Sequence, residues 1–214
     1  MRGQHRVGRE RRRDILFAAI RSPARTSARP APAAGWRSST PVPWGTMDRQ
    51  RPPIVADERT QLVGWYDLQR AIVHLKCEGV SEADAHRAVL PASPLMTMAG
   101  VVSHLRWAEH LWFNVLFLGE PATGPMFDGG DEDADMMVSG VPLDRLLADY
   151  ERQCAESNEI IAAHSLDEPG KNRDYDEGAA SLRWMLLHML EETARHAGHL
   201  DAIRELLDGT KGYY

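Results

Sequence analysis

SLRWMLLHMLEETARHAGHLDAIRELLDG, residues 181–209, predicts one long α-helix. Ser181 is a good N-cap, and Asp208-Gly209 supplies a C-terminal stop signal. Apolar side chains recur in steps of four and three, as they do along the buried seam of a bundle helix. Three successive positions on that seam are nevertheless ionisable: Glu192, His196 and His199. The stretch therefore predicts a core helix whose apolar seam is interrupted by three ionisable side chains.

Three further segments show the same helical spacing of apolar residues. They cover residues 56–80, residues 97–118 and the stretch between Pro142 and Pro169. None of the segments alternates with the period of two that is typical of a strand. The connections at 81–96 and 119–141 are long for simple hairpins, which predicts crossovers or mobile flaps. We expect an all-α protein with a four-helix bundle.

Charge divides the chain into two parts. The formal net charge is −6 over 214 residues, but residues 1–46 carry +8 and residues 47–214 carry −14. The first part is rich in Arg, Pro and Ala and has no apolar period, so we expect a disordered extension. Met47 offers an alternative translation start, in which case residues 1–46 are absent from the native protein. Residues 47–214 form the predicted bundle domain.

This composition excludes several classes of function. An acidic body repels phosphate backbones, so we expect no nucleic-acid partner. No apolar run approaches the ~18 residues that a membrane helix needs, so we expect no membrane association and a cytoplasmic protein. Cys77 and Cys154 are too few for a disulfide scaffold and are expected to be buried free thiols.

The polar residues on the helical seams point to a metal ion. Glu192 and His196, spaced i and i+4, share one helix face, and His104 replaces an expected aliphatic residue on the second helix. Buried charges need a partner, and one divalent cation would serve all three residues. Spacing alone also allows a hydrogen-bonded core histidine and a solvated Glu–His pair. His188 is an alternative third ligand.

The aspartates of DGGDEDADMM (128–137) give a weaker signal. Asp131, Asp133 and Asp135 imitate the start of a calcium loop, but Met136 stands where the turn glycine belongs. Pro142 occupies the position of the bidentate glutamate. We therefore expect a solvated acidic loop that can flap over the site.

Two motifs carry a resemblance to a known family. SHLRWAEHLWF (103–113) and LLHMLEETARHAGHLDAIRELLDG (186–209) resemble the DinB/YfiT-like superfamily of four-helix metalloproteins. The closest branch holds mycothiol-dependent maleylpyruvate isomerase. The resemblance implies a four-helix bundle over residues 50–212 and one divalent metal held by His104, Glu192 and His196. Zinc is the favoured ion, with nickel and iron as alternatives.

The resemblance also implies a function. It favours a thiol S-transferase or isomerase that acts on a low-molecular-weight thiol and a small electrophile, and it allows a homodimer. His199 is the candidate for orienting a ligand or moving a proton. The alternatives are metal-assisted hydrolysis, with Glu109 or His199 as base, and a non-catalytic, stress-associated metal-binding bundle.

Overall fold

Six α-helices make up most of the part of the chain that the structure describes. The structure is a computed structural model that describes residues 51–128, 131 and 133–212. The helices are α1 (Glu58–Cys77), α2 (Glu82–Ala85), α3 (Met98–Glu109), α4 (Pro125–Asp128), α5 (Leu143–Ala163) and α6 (Leu182–Asp208). A π-helix (His110–Leu118) continues α3, and two short 3₁₀ helices cover Ala134–Met136 and Asp176–Ala179. Within these residues there is no β-strand, which confirms the all-α prediction.

The long helices begin and end where local chemistry sets their limits. Asp57, Thr97 and Ser181 each accept a hydrogen bond from a backbone N–H in the first turn of α1, α3 and α6. Such N-caps satisfy donors that have no partner inside the helix. α6 ends at Gly209, which has a φ of 77° in the left-handed region. The predicted cap at Ser181 and stop at Gly209 are both confirmed.

The four long helical segments form the predicted bundle. α1 packs mainly against α6, and α3 packs mainly against α5, while α3 also contacts α6. Two apolar clusters fill the interior, one around Val101, Leu105 and Leu200 and the other around Phe113, Met185 and Met189. The side chains of His104, Glu192 and His196 are buried where α3 faces α6.

The second long segment differs from the prediction in its hydrogen-bond pattern. The sequence predicts one continuous α-helix over 97–118, but the chain changes to a π-helix at His110. The wider turn carries Trp112 and Phe113 into the interior and leaves Leu111 only half-buried. The third segment also ends at Ala163, earlier than Pro169.

Three further features concern membrane helices, the N-terminal extension and the two long connections. No helix in the described part of the chain is long and apolar enough to cross a membrane. The predicted extension, residues 1–46, lies outside the described residues. The connection 81–96 contains α2, and the connection 119–141 contains α4 and a 3₁₀ turn.

Candidate metal centre

Three predicted ligands come together between α3 and α6. His104 lies in the middle of α3, and Glu192 and His196 lie one turn apart on α6. Their exposed fractions are 6%, 4% and 8%. One ligand atom from each side chain lies within 4.8 Å of the other two. The structure thus places in one buried cluster the residues that helical spacing selected.

The distances within the cluster suit a shared cation. Glu192 Oε1 lies 3.2 Å from His104 Nε2 and 3.1 Å from His196 Nε2. Zinc bonds of about 2.0–2.2 Å to nitrogen and oxygen place neighbouring ligand atoms roughly 3.0–3.5 Å apart. Two imidazoles and one carboxylate are also a donor set that zinc accepts. The residues present therefore fit a divalent metal ion.

Both ring nitrogens of His104 face a carboxylate oxygen. Nε2 faces Glu192, and Nδ1 lies 2.8 Å from Asp135 Oδ2. A neutral imidazole has one N–H donor, so it cannot donate to both carboxylates. Either the ring carries a second proton or a cation stands between Nε2 and Glu192. In the metal-free protein, burial opposes the charge, yet Asp135 and Glu192 raise the pKa of His104 to about 9.

Glu192 is held in its charged form. Burial acts to raise the pKa of its carboxyl group, but hydrogen bonds from His104 and His196 hold that pKa well below its usual value. An anionic oxygen shared by two imidazoles is the electrostatic environment that a metal ion needs. The site thus supplies a buried negative charge between two imidazole rings.

Asp135 belongs to this cluster, and the sequence did not reveal it. Its side chain is 3% exposed, on the 3₁₀ turn Ala134–Met136, whereas Asp131 and Asp133 are exposed. The prediction of a solvated acidic loop is therefore wrong at Asp135. No periodic pattern marks this aspartate, because it lies on a short turn between helices.

Comparison with known proteins identifies the family. The family model described as mycothiol-S-transferase matches residues 61–209. The chain belongs to the mycothiol-S-transferase family. The matched region runs from the first turn of α1 to the end of α6 and contains all three residues of the cluster. No curated protein and no solved structure matches the chain. Membership in the mycothiol-S-transferase family implies a thiol substrate.

Glu109, one of the two predicted catalytic residues, lies elsewhere in this mycothiol-S-transferase family chain. It is fully buried, and its two oxygens accept hydrogen bonds of 2.8 and 2.7 Å from Nε and Nη2 of Arg70. The Cys154 thiol donates a third, at 3.2 Å. Arg70 lies on α1 and Cys154 on α5, whereas the cluster of candidate metal ligands lies between α3 and α6. The geometry thus places Glu109 in a buried ion pair away from the cluster, and its role as a base stays a prediction.

His199 and His188 flank the cluster on α6 in different ways. Nδ1 of His199 lies 3.4 Å from Nδ1 of His196, so His199 adjoins a proposed ligand. His188 instead stacks on Trp184 and packs against Trp112, with ring centroids 5.5 and 4.3 Å apart. The structure does not include His188 in the ligand group, so His104 is the better third ligand.

Proposed function

We propose that this protein is a metal-dependent thiol S-transferase that uses mycothiol, with His104, Glu192 and His196 as the metal ligands. The observation that carries the proposal is the convergence of two imidazole nitrogens and one carboxylate oxygen, buried between α3 and α6. Its presence in a chain of the mycothiol-S-transferase family connects the cluster to a thiol.

A bound divalent ion supplies Lewis acidity, which favours the thiolate form of a thiol at neutral pH. The chain's own part is to hold the ligands rigidly. Glu192 and His196 come from adjacent turns of α6, so their separation is fixed by one helix. His104 is held from the facing helix. Among the described residues the cluster has three ligand residues, which leaves coordination positions for substrate, as in catalytic sites.

The transfer step requires a proton acceptor as well as a nucleophile. The thiol sulfur forms a bond to an electrophilic carbon and the thiol loses its proton. An alkyl halide then loses its halide and an epoxide opens its ring, whereas an enone breaks its C=C π bond and takes up a proton at the α-carbon. We assign proton acceptance to His199, because it adjoins His196 and is less buried than the three ligands. From that position it can pass the proton to solvent.

The two alternatives have weaker support. Metal-assisted hydrolysis would use Glu109 or His199 as the base on water, and Glu109 is engaged by Arg70. A non-catalytic metal-binding bundle is expected to close its metal with a fourth protein ligand. The three-residue cluster and the family both favour the transferase.

The test begins with the full chain, stripped of metal and reloaded with zinc, nickel or iron. We expect one metal ion per chain by elemental analysis, and metal-dependent consumption of mycothiol with at least one member of a panel of epoxides, alkyl halides and enones. His104→Ala and Glu192→Gln should lose both the bound metal and thiol consumption.

His188→Ala is the matched control for metal content, because it removes a histidine from the same helix outside the cluster. We expect it to retain one metal ion per chain. Full metal content in both His104→Ala and Glu192→Gln would remove the proposed site. Absence of thiol consumption with every metal and electrophile would remove the transferase.

Several finer expectations stay predictions. Zinc ahead of nickel or iron, a small electrophile as second substrate, a homodimer and a cytoplasmic location all rest on the sequence analysis. Elemental analysis of the protein purified from its native source, together with its mass in solution, tests the first and third of these.

A further inference from the structure

Asp135 is a buried carboxylate that helix packing does not require. It lies on a short 3₁₀ turn rather than on a long helix, and its side chain is 3% exposed. Its Oδ2 lies 2.8 Å from Nδ1 of His104. A carboxylate buried in this way costs free energy unless its charge has a specific partner. The partner here is the imidazole whose other nitrogen faces Glu192.

We propose that Asp135 is a positioning residue, which holds the His104 ring with its proton on Nδ1 so that Nε2 presents a lone pair to the metal. This inference rests on the metal site of the proposed function. An ionised carboxylate only accepts hydrogen bonds, so the contact with Asp135 requires a proton on Nδ1. In the neutral ring the lone pair is then on Nε2, the nitrogen that faces Glu192. Ligating histidines commonly receive this support from a carboxylate.

Charge balance gives independent support. Metal-ligating imidazoles are neutral, so the two histidines contribute no charge when a metal is bound. Glu192 and Asp135 then contribute two negative charges to a buried cluster, and both are less than 5% exposed. A divalent cation neutralises two charges. Before a thiolate binds, the negative charges of Asp135 and Glu192 together therefore match the charge of a divalent cation.

Anchoring of the loop is the structural alternative, and the turn has other anchors. Met136 packs against the apolar cluster of α3, and Met136 and Met137 donate backbone hydrogen bonds of 3.0 and 3.2 Å within the turn. Gly100 leaves room for the carbonyl oxygen of Met136, since a Cβ there would lie 3.2 Å from it. These contacts also anchor the turn, so the carboxylate of Asp135 is not its sole anchor. Its burial beside His104 thus has its reason in the metal site.

The experiment compares zinc affinity in Asp135→Ala, Asp135→Asn and wild type, using the full chain stripped of metal and titrated with Zn²⁺ against a competing chelator. We expect about 10–100-fold weaker zinc binding in Asp135→Ala. Asp135→Asn should show a smaller loss, because its amide oxygen still accepts the Nδ1 proton. Asp133→Asn is the matched control: it removes the same charge from an exposed position two residues away and should bind zinc as wild type does.

Two further readouts separate positioning from folding. Thermal unfolding of the metal-free proteins reports any loss of stability, which a merely structural role would produce without a change in ring tautomer. Nitrogen NMR of ¹⁵N-histidine-labelled, zinc-loaded protein should show His104 protonated at Nδ1 in wild type and a changed signal in Asp135→Ala. If Asp135→Ala does not fold, Asp135→Asn carries the comparison.

The outcomes distinguish this inference from the proposed function. Wild-type zinc affinity in a folded Asp135 variant overturns the role of Asp135 and leaves the metal site intact. Failure of the wild-type protein itself to bind zinc, nickel or iron overturns the proposed function. Weaker zinc binding in both Asp135 variants, with normal binding in Asp133→Asn, supports the positioning role.

Discussion

Glu109 and Glu192 are both buried carboxylates on long helices, but different partners neutralise them. Glu109 faces the guanidinium of Arg70, which donates two hydrogen bonds to it. Glu192 faces two imidazoles, which unlike a guanidinium carry no permanent charge. The charge of Glu109 is balanced by a guanidinium of the same chain, whereas the charge of Glu192 can be balanced by a bound cation. This contrast separates a structural ion pair from a candidate site.

Replacement of Glu109 tests that distinction. Glu109→Gln removes one partner of a fully buried pair and leaves Arg70 with the partly exposed Asp67 as its remaining counter-ion. We expect the free energy of unfolding to fall by about 3–5 kcal/mol, measured by urea denaturation. Metal content should stay at the wild-type level.

The exposed pair between Arg145 and Asp149 is the control, since both side chains contact solvent. Asp149→Asn should cost less than about 1 kcal/mol, as is usual for surface ion pairs. Unchanged stability in Glu109→Gln together with a lost reaction would instead support Glu109 as a catalytic base.

Helical periodicity explains which residues of the site the sequence could predict. Glu192 and His196 share a face at any position along a regular helix, and His104 breaks an apolar seam on the helix that α6 meets. Asp135 follows no period, because the path of the loop around it depends on contacts such as that between Met136 and Gly100. Glu109 lies five residues after His104, which turns it about 140° away from that residue, toward other helices.

Among the elements, the π-helix His110–Leu118 is the largest departure from the predicted secondary structure. It follows directly after the turns of α3 that carry His104 and Glu109. Its amino-acid composition does not distinguish it from an α-helix. The two helix types differ in their backbone hydrogen bonds, which join residues five apart in a π-helix and four apart in an α-helix. Packing decides that choice: Asn114, buried in this segment, bonds to Gln153 and Glu156 of α5. π-helical turns are often found next to functional sites.

A glycine inside a long helix allows a test of helix stability. Gly198 lies within α6, and a Cβ added there would meet nothing within 4 Å. Gly198→Ala should therefore raise the free energy of unfolding by about 0.5–1 kcal/mol, because alanine loses less conformational entropy in a helix. Urea denaturation measures the change.

Gly119 is the matched opposite case. It ends the π-helix with a φ of 77°, and its added Cβ would lie 3.2 Å from Lys171 Cβ. Gly119→Ala should lower the free energy of unfolding by about 1–2 kcal/mol, the cost of a left-handed conformation for a residue with a side chain. If the two substitutions shift stability in the same direction, this account of the two helices is wrong.

In the molecule as a whole, the candidate site lies at the junction between two helix pairs. α1 packs with α6 and α3 packs with α5, and the ligands come from α3 and α6, one from each pair. A metal bound there would link the two pairs and stabilise the bundle by an amount that grows with the logarithm of its affinity. The bundle itself can be predicted from four apolar periods, but the pairing of its helices depends on the connections between them, which carry no period.

The two cysteines are unsuited to supply the thiol of the proposed transfer reaction. Cys77 and Cys154 are both buried and free. Burial raises the pKa of Cys77 from its usual 9.0 to about 12, against a smaller opposing effect of Arg204. Burial and the negative charge of Glu109 also raise the pKa of Cys154 well above its usual value. Neither thiol forms a reactive thiolate at neutral pH.

We therefore expect the native chain at pH 8 to react with a disulfide reagent such as DTNB only as fast as it unfolds, and both thiols to react at once in urea.

The raised pKa of Cys77 also makes the free energy of unfolding depend on pH. Below pH 9 its contribution is fully present, because the thiol is neutral in the folded and unfolded chain alike. As the pH rises from 9 toward 12 the unfolded thiol ionises first, so the free energy of unfolding falls. Rapid labelling of either cysteine in the native protein at pH 8 would instead make the chain's own sulfur a candidate nucleophile.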